Sequence, residues 1–165
     1  MIPAMKVNKK RLDAEGIVCH LKASGYEAYF VGGCVRDFIL GKDSNDFDIV
    51  TSALPDQIVR LFSKTVLTGA QFGVVTVIVN HHPYEVATFR SDDVYEDGRH
   101  PSKVHYSSVK EDVFRRDFTV NGLLMDPTDG KILDYVNGHT DIENKIIRTI
   151  GSPDSRFNED YLRML

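Results

Sequence analysis

Two aspartates, Asp46 and Asp48, stand one residue apart in the run "DFDIVT". In a β-strand, residues i and i+2 share a face, so both carboxylates project together while Phe47 and Ile49 turn to the core. Such a pair repels, and without a cation one carboxyl is pushed toward its neutral form. A hard divalent cation relieves that cost, and carboxylate oxygen is what Mg²⁺ prefers. Read alone, the pair equally fits strand-end aspartates that cap a turn or stay solvated at a sheet rim. Glu85 adds a third acid. It sits in "YEVATF", an apolar strand in which it shares a face with Ala87 and Phe89. A glutamate buried in such a strand is uncommon unless it is paired or ligating. If the two strands are neighbours, three carboxylates converge, which suits phosphoryl transfer with two metal ions.

The stretch "GGCVRD" supplies a complement to the acids. Gly32 and Gly33 between a strand and a helix let backbone amides approach an anion at the helix start. The stretch lacks the Gly-Lys-Ser/Thr ending of a P-loop and the third glycine of a dinucleotide fold. A plain strand-to-helix turn, with Arg36 and Asp37 as a surface ion pair, is the competing reading. Arg36 would either contact a triphosphate above the turn or order the turn through Asp37. Near the end of the chain, in "NEDYLR", Asp160 and Arg163 lie three apart on one helix face. One offers acceptors and the other donors, so together they can bond the edge of a nucleobase; an ordinary helix salt bridge uses the same spacing.

The elements that must hold these residues are readable in outline. "KRLDAEGIVCHLKASG" places Ala14, Ile17, Val18 and Leu21 at helical spacing, with Gly25 positioned to end the helix. "YEAYFV" and "FDIVT" read as strands, "CVRDFIL" as a short helix closed by Gly41, and "PDQIVRLF" as a helix with Pro55 near its start. "KTVL", "VVTVIV" and "YEVATF" are β-rich, the last two forming a hairpin. Ser91 to His105 is polar and aperiodic, a long loop of the kind that is usually functional or mobile; Arg90 just before it and Arg99 and Lys103 within it are candidate phosphate contacts, and a solvated loop fits each of them equally well. Ser108 and Glu111 form a capping box for a helix running into "DVFRRDFTVNG". "KILDY" is a strand candidate and "TDIENK" a helical one. "DSRFNEDYLRML" reads as a helix opening at Asp154 or Ser155. The chain ends inside it without a cap, which reads as one piece of a larger protein. The class is α/β or α+β, with a mixed sheet of about five strands flanked by helices.

Composition excludes little. The 165 residues carry a formal net charge of -4, which argues against nucleic-acid binding through the overall field but leaves local basic patches open. No apolar run is long enough to span a bilayer. The N-terminus has no apolar signal core, so cytoplasm is the default compartment. Cys19 and Cys34 make no disulfide framework and read as small packing residues.

Taken in order, "GGCVRD", "DFDIVT", "YEVATFR", "RRDFTVNG", "KIIRTIG" and "RFNEDYLRML" resemble the bacterial tRNA nucleotidyltransferase/poly(A) polymerase family of the polymerase-β-like superfamily. The match covers about residues 26 to 165. The resemblance implies a catalytic head over residues 1–151, and over 152–165 the start of an all-helical neck, with body and tail domains missing. It implies Mg²⁺ on Asp46, Asp48 and Glu85, and nucleotide contacts from Gly32, Gly33 and Arg36. Arg116 and Asp117 would hold the ribose of the incoming nucleotide, with Thr119 and Asn121 behind them. Asp160 and Arg163 would be the protein template for ATP or CTP. Where many relatives have Asn-Ala, this chain has Asn121-Gly122, which would loosen a helix end there. The implied activity is CCA addition to the 3′ end of tRNA. A-only addition, poly(A) synthesis, a non-RNA acceptor and a non-catalytic nucleotide- or RNA-binding module are the alternatives.

Overall fold

A computed structural model describes residues 8–92 and 104–159. Its centre is a mixed seven-stranded sheet in the order β3-β4-β5-β2-β1-β8-β9, with a separate two-stranded ribbon, β6-β7. The strands are β1 (Ala28–Val31), β2 (Asp48–Thr51), β3 (Thr65–Gly69), β4 (Val74–Val79) and β5 (His82–Thr88), then β6 (Arg90–Asp92), β7 (Val104–Tyr106), β8 (Leu124–Met125) and β9 (Ile132–Leu133). The helices are α1 (Lys9–Ala23), α2 (Gly33–Ile39), α3 (Pro55–Leu61), α4 (Val109–Phe114), α5 (Gly138–Glu143) and α6 (Pro153–Glu159). Among the described residues, no helix is long and apolar enough to cross a membrane.

The sheet divides its apolar material unequally. Phe30, Ile49, Tyr84, Val86, Val75 and Val77 point to one face, where they meet Ala14, Ile17, Val18 and Leu21 of α1 and Ile58 of α3 in the larger core. Val31, Val50 and Phe89 point the other way, into a smaller cluster closed by Val113 of α4 and Leu124. Asp48 and Glu85 have the parity of this second face. The helical spacing in α1 therefore predicts its buried residues, and Gly25, at φ 91°, takes the chain out of that helix. Cys34 is buried as expected, but Cys19 is exposed.

The hairpin between β4 and β5 pairs Val79 with His82. Its two-residue loop, Asn80–His81, has φ of 48° and 67°. Positive φ at both loop residues matches the right-handed strand twist, and Asn is one of the residues that tolerates it.

Several expectations are corrected. The sheet has seven strands because β8 and β9, two residues each, extend it beyond β1. Strands this short carry no readable period, and only "KILDY" hints at one of them. The polar segment is not structureless throughout: Arg90↔Tyr106 and Asp92↔Val104 pair its two ends as a ribbon. Arg99 and Lys103 lie outside the described residues. The capping box is present, with the Glu111 carboxylate accepting from the Ser108 amide at 3.1 Å. Its helix, however, stops at Phe114. Arg115 and Arg116 turn back onto Asp112, and Phe118 bridges to Thr149. The carbonyls of Phe114 and Arg115 are taken instead by Arg156 of α6, at 2.6 and 3.4 Å. That last helix opens at Pro153, one or two residues earlier than predicted. Proline suits a first helical position, where its missing N–H is no loss.

Candidate active site

Asp48 opens β2 and pairs with Val31, the last residue of β1. On its other side β2 runs parallel to β5, with Ile49 opposite Val86. One step earlier in that register, Asp48 lies beside Glu85, whose partner on β4 is Thr76. Asp46 and Asp48 are exposed while Phe47 between them is buried, so the alternation read from the sequence is observed. Glu85 is also exposed. The expectation of a buried strand glutamate is thus corrected: it stands on the open end of the smaller face, clear of the Phe89 cluster.

The turn that delivers Asp46 is fastened from α1. Asn8 caps that helix by accepting from the Lys10 and Arg11 amides, and its Nδ2 donates to Ser44 O at 2.7 Å. Ser44 Oγ donates to Asp46 O at 2.9 Å. A cavity of about 650 Å³ opens beside this turn, lined by Arg11, Leu12, Cys34, Phe38 and Phe47. Its lining holds none of the three acids.

Asp48 feels the charge of both other acids. Asp48 is raised to about 6 by loss of water, then by Asp46, then by Glu85, with Arg116 pulling the other way. The folded chain therefore holds this proton more tightly than the unfolded chain does. Its contribution to stability is present at low pH and is lost as pH rises from about 4 through about 6. In chelator, the Asp48→Asn variant should melt with the wild type below pH 4 and above it in temperature at pH 7. Equal melting at both pH values would refute the coupling. Like-charged carboxylates at one end of a sheet are the chemistry a hard cation relieves. Among the described residues, no three His, Cys, Asp or Glu side chains are already gathered as a ligand shell. The donor set fits a cation that draws the acids together.

Gly32 explains the turn in "GGCVRD". Its φ of 78° and ψ of -133° belong to glycine alone. Its amide donates to Leu123 O at 3.2 Å, so that N–H is used within the fold and is not offered to a ligand. Arg36 makes the predicted pair with Asp37, at 3.0 Å. It also donates from Nη1 to Asn121 Oδ1 at 2.9 Å. Asn121 in turn donates to Asp117 Oδ1 at 3.5 Å, and the same oxygen accepts from Phe118 N at 2.6 Å. The glycine turn and "RRDFTVNG" are thus one hydrogen-bonded unit. The helix end at Gly122 is that of a short 3₁₀ turn, Thr119–Asn121, closed by the Gly122 amide donating to Thr119 O at 3.0 Å. A Cβ there would fall 2.9 Å from Ile150 Cδ1 and 3.0 Å from Val136 Cγ2, so this glycine is a packing choice.

Arg116 donates from Nη2 to Asp112 Oδ2 at 3.0 Å, and its Nε is buried without a partner among the described residues. Burial pulls its guanidinium below the usual value, against the fields of Asp112 and Asp48. Arg90 donates to Phe72 O, which gives it a structural use. Asp160 and Arg163 lie outside the described residues. The residue that motif reading missed is Asp112, which is wholly buried. Its signal was there: Arg115 and Arg116 follow it at i+3 and i+4, the spacing of helix ion pairs.

Comparison with known proteins agrees with this geometry. Residues 28–148 match the family model described as the poly A polymerase head domain. A CCA-adding enzyme of Geobacillus sp. (strain WCH70) is 50% identical over 153 residues, which are 92% of this chain and 38% of that protein. The CCA-adding enzyme of Streptococcus gordonii is 49% identical over 146 residues, 88% of this chain and 36% of that protein. Among solved structures, the Bacillus stearothermophilus CCA-adding enzyme in complex with CTP superposes with a TM-score of 0.84 at 43% identity, covering 97% of this chain and 38% of that one. The chain spans about two fifths of the length of these relatives.

Proposed function

The chain belongs to the poly A polymerase head-domain family, and on that premise we propose that it is the catalytic head of an RNA nucleotidyltransferase that adds CMP and AMP, from CTP and ATP, to the 3′ end of tRNA. The observation that carries this reading is the coupling of Asp48 to Asp46 and Glu85 at the open end of the sheet, beside the Gly32 turn. The names of the half-identical relatives favour CCA addition over A-only addition or poly(A) synthesis.

In this reading Asp46, Asp48 and Glu85 hold Mg²⁺. The bound ions supply a lowered pKa at the attacking 3′-hydroxyl and charge stabilisation at the leaving pyrophosphate. The protein's own work is placement. Gly32 sets the turn, and Gly33 opens α2 with no side chain between backbone and phosphates. Arg36, already fixed by Asp37 and Asn121, offers positive charge to the triphosphate. Arg116 and Asp117 present a donor and an acceptor to the ribose. Asp160 and Arg163 read the base edge, one accepting and one donating. Residues 1–151 would form the head, with 152–165 opening a helical neck. The Arg156 bonds to Phe114 O and Arg115 O would join the two.

Sequencing the product on a tRNA that ends at its discriminator base, with CTP and ATP supplied separately and together, is the direct test. The expected result is addition of two C residues with CTP alone and CCA with both. Addition of A alone, or of an A tract, would move the protein to the other branch of the family.

A further inference from the structure

We propose that Asp112 is a positioning residue for this reaction, fixing the Arg116 guanidinium and tying it to the end of the strand that carries Glu85. This rests on the function proposed above. A wholly buried carboxylate is costly unless it is fully bonded, and Asp112 is. Its two oxygens divide the work. Oδ1 accepts from the Arg90 amide at 3.1 Å, and from Arg115 Nε and Nη2 at 3.1 and 3.0 Å. Arg90 lies two residues past the end of β5, so this oxygen locks α4 to that strand. Oδ2 accepts from Arg116 Nη2 at 3.0 Å. Among the described residues, that is the one hydrogen bond the Arg116 side chain makes.

Arg116 is in turn felt at Asp48, where its charge opposes Asp46 and Glu85. A long arginine side chain loses considerable rotamer entropy when fixed. One charge-assisted bond to an immobile carboxylate sets its direction before any nucleotide arrives. The same carboxylate that orients the arginine also grips the continuation of β5, so one side chain links Arg116 to the strand that carries Glu85.

The division between the two oxygens suggests the experiment. Asparagine keeps one oxygen for the Arg90 amide and Arg115 but turns an NH₂ toward Arg116. Asp112→Asn, Arg116→Gln and the double variant are compared with the wild type in tRNA extension, together with their melting temperatures. Asp112→Asn is expected to lower kcat/KM by on the order of tenfold in the wild-type background, but by no more than about twofold when Arg116 is already glutamine. A purely structural aspartate would give losses that multiply and a melting temperature that falls in step, which overturns the proposal. A second readout needs no activity. Side-chain ¹⁵N spectra should give Arg116 a resolved Nε–H resonance, identified by its absence in Arg116→Gln, that collapses toward the exposed arginines in Asp112→Asn. An unchanged resonance also overturns the proposal. Wild-type protein without tRNA extension would defeat the assigned function, while the spectra would still judge Asp112.

Discussion

The Asp48→Asn variant is expected to lose nucleotide incorporation by roughly a thousandfold or more, the equivalent of about 4 kcal/mol of transition-state stabilisation. The substitution keeps the shape of the side chain and removes the charge that couples to Asp46 and Glu85. It should act on kcat more than on nucleotide affinity, because the groups proposed to hold phosphates and base are untouched. The same variant should gain thermal stability at neutral pH in chelator, since the raised carboxyl is a folding cost that asparagine does not carry. Adding Mg²⁺ should raise the melting temperature of the wild type and leave the variant nearly unmoved. Loss of activity with a gain in stability separates a functional charge from a structural one. A variant that is less stable and inactive would point to damage instead.

The second large effect lies away from the acids. Gly138 opens α5, and a Cβ built on it would fall 2.1 Å from Thr119 O and 2.8 Å from Thr119 C. These are backbone atoms, so no rotamer change makes room. Thr119 begins the short 3₁₀ turn, Thr119–Asn121, that carries the Asn121 amide to Arg36. It is further held by its Oγ1 donating to Asp141 at 2.7 Å, and Asp141 is gripped by Arg148. The Gly138→Ala variant should therefore cost about 3 kcal/mol, the upper end of ordinary overpacking, lowering the melting temperature by roughly 6–12 °C for a chain of this size. Gly16, in the middle of α1, is the control: a Cβ there meets nothing within 4 Å, and alanine should add about 0.5–1 kcal/mol through helix propensity. Equal behaviour of the two variants would defeat the packing argument. Because the Thr119 turn also orients Arg36, Gly138→Ala should raise the KM for nucleotide at temperatures where the variant is still folded.

Local chemistry was legible in the sequence where a single element produces it. The parity of Asp46, Phe47 and Asp48, the buried stripe of α1, the Ser108–Glu111 capping box and the β4–β5 hairpin each depend on neighbours within a few residues. What could not be read depends on distant partners. Glu85 looks buried from its apolar flanks, and only the order of the strands shows that its end of the face is open. The helix predicted through "DVFRRDFTVNG" continues by periodicity alone, yet it stops because Asp112 recovers both arginines and Arg156 takes the freed carbonyls. The link from Arg36 to Asn121 spans 85 positions, and nothing local announces it. The glycines divide in the same way: Gly32 is explained by its own φ, Gly138 only by Thr119.

The unequal packing of the sheet bears on how such a head can diversify. The cohesion of the fold resides mainly on the α1 and α3 side, where Phe30, Ile49 and Val86 are sealed away. The opposite side carries a thin apolar patch and leaves its open end to charge. Mutational drift along that open end, at Thr76 or among the residues bordering Glu85, draws little from the reserve that keeps the chain folded. Substitutions of exposed residues on that side should therefore cost less stability than substitutions of the residues sealed under α1 and α3.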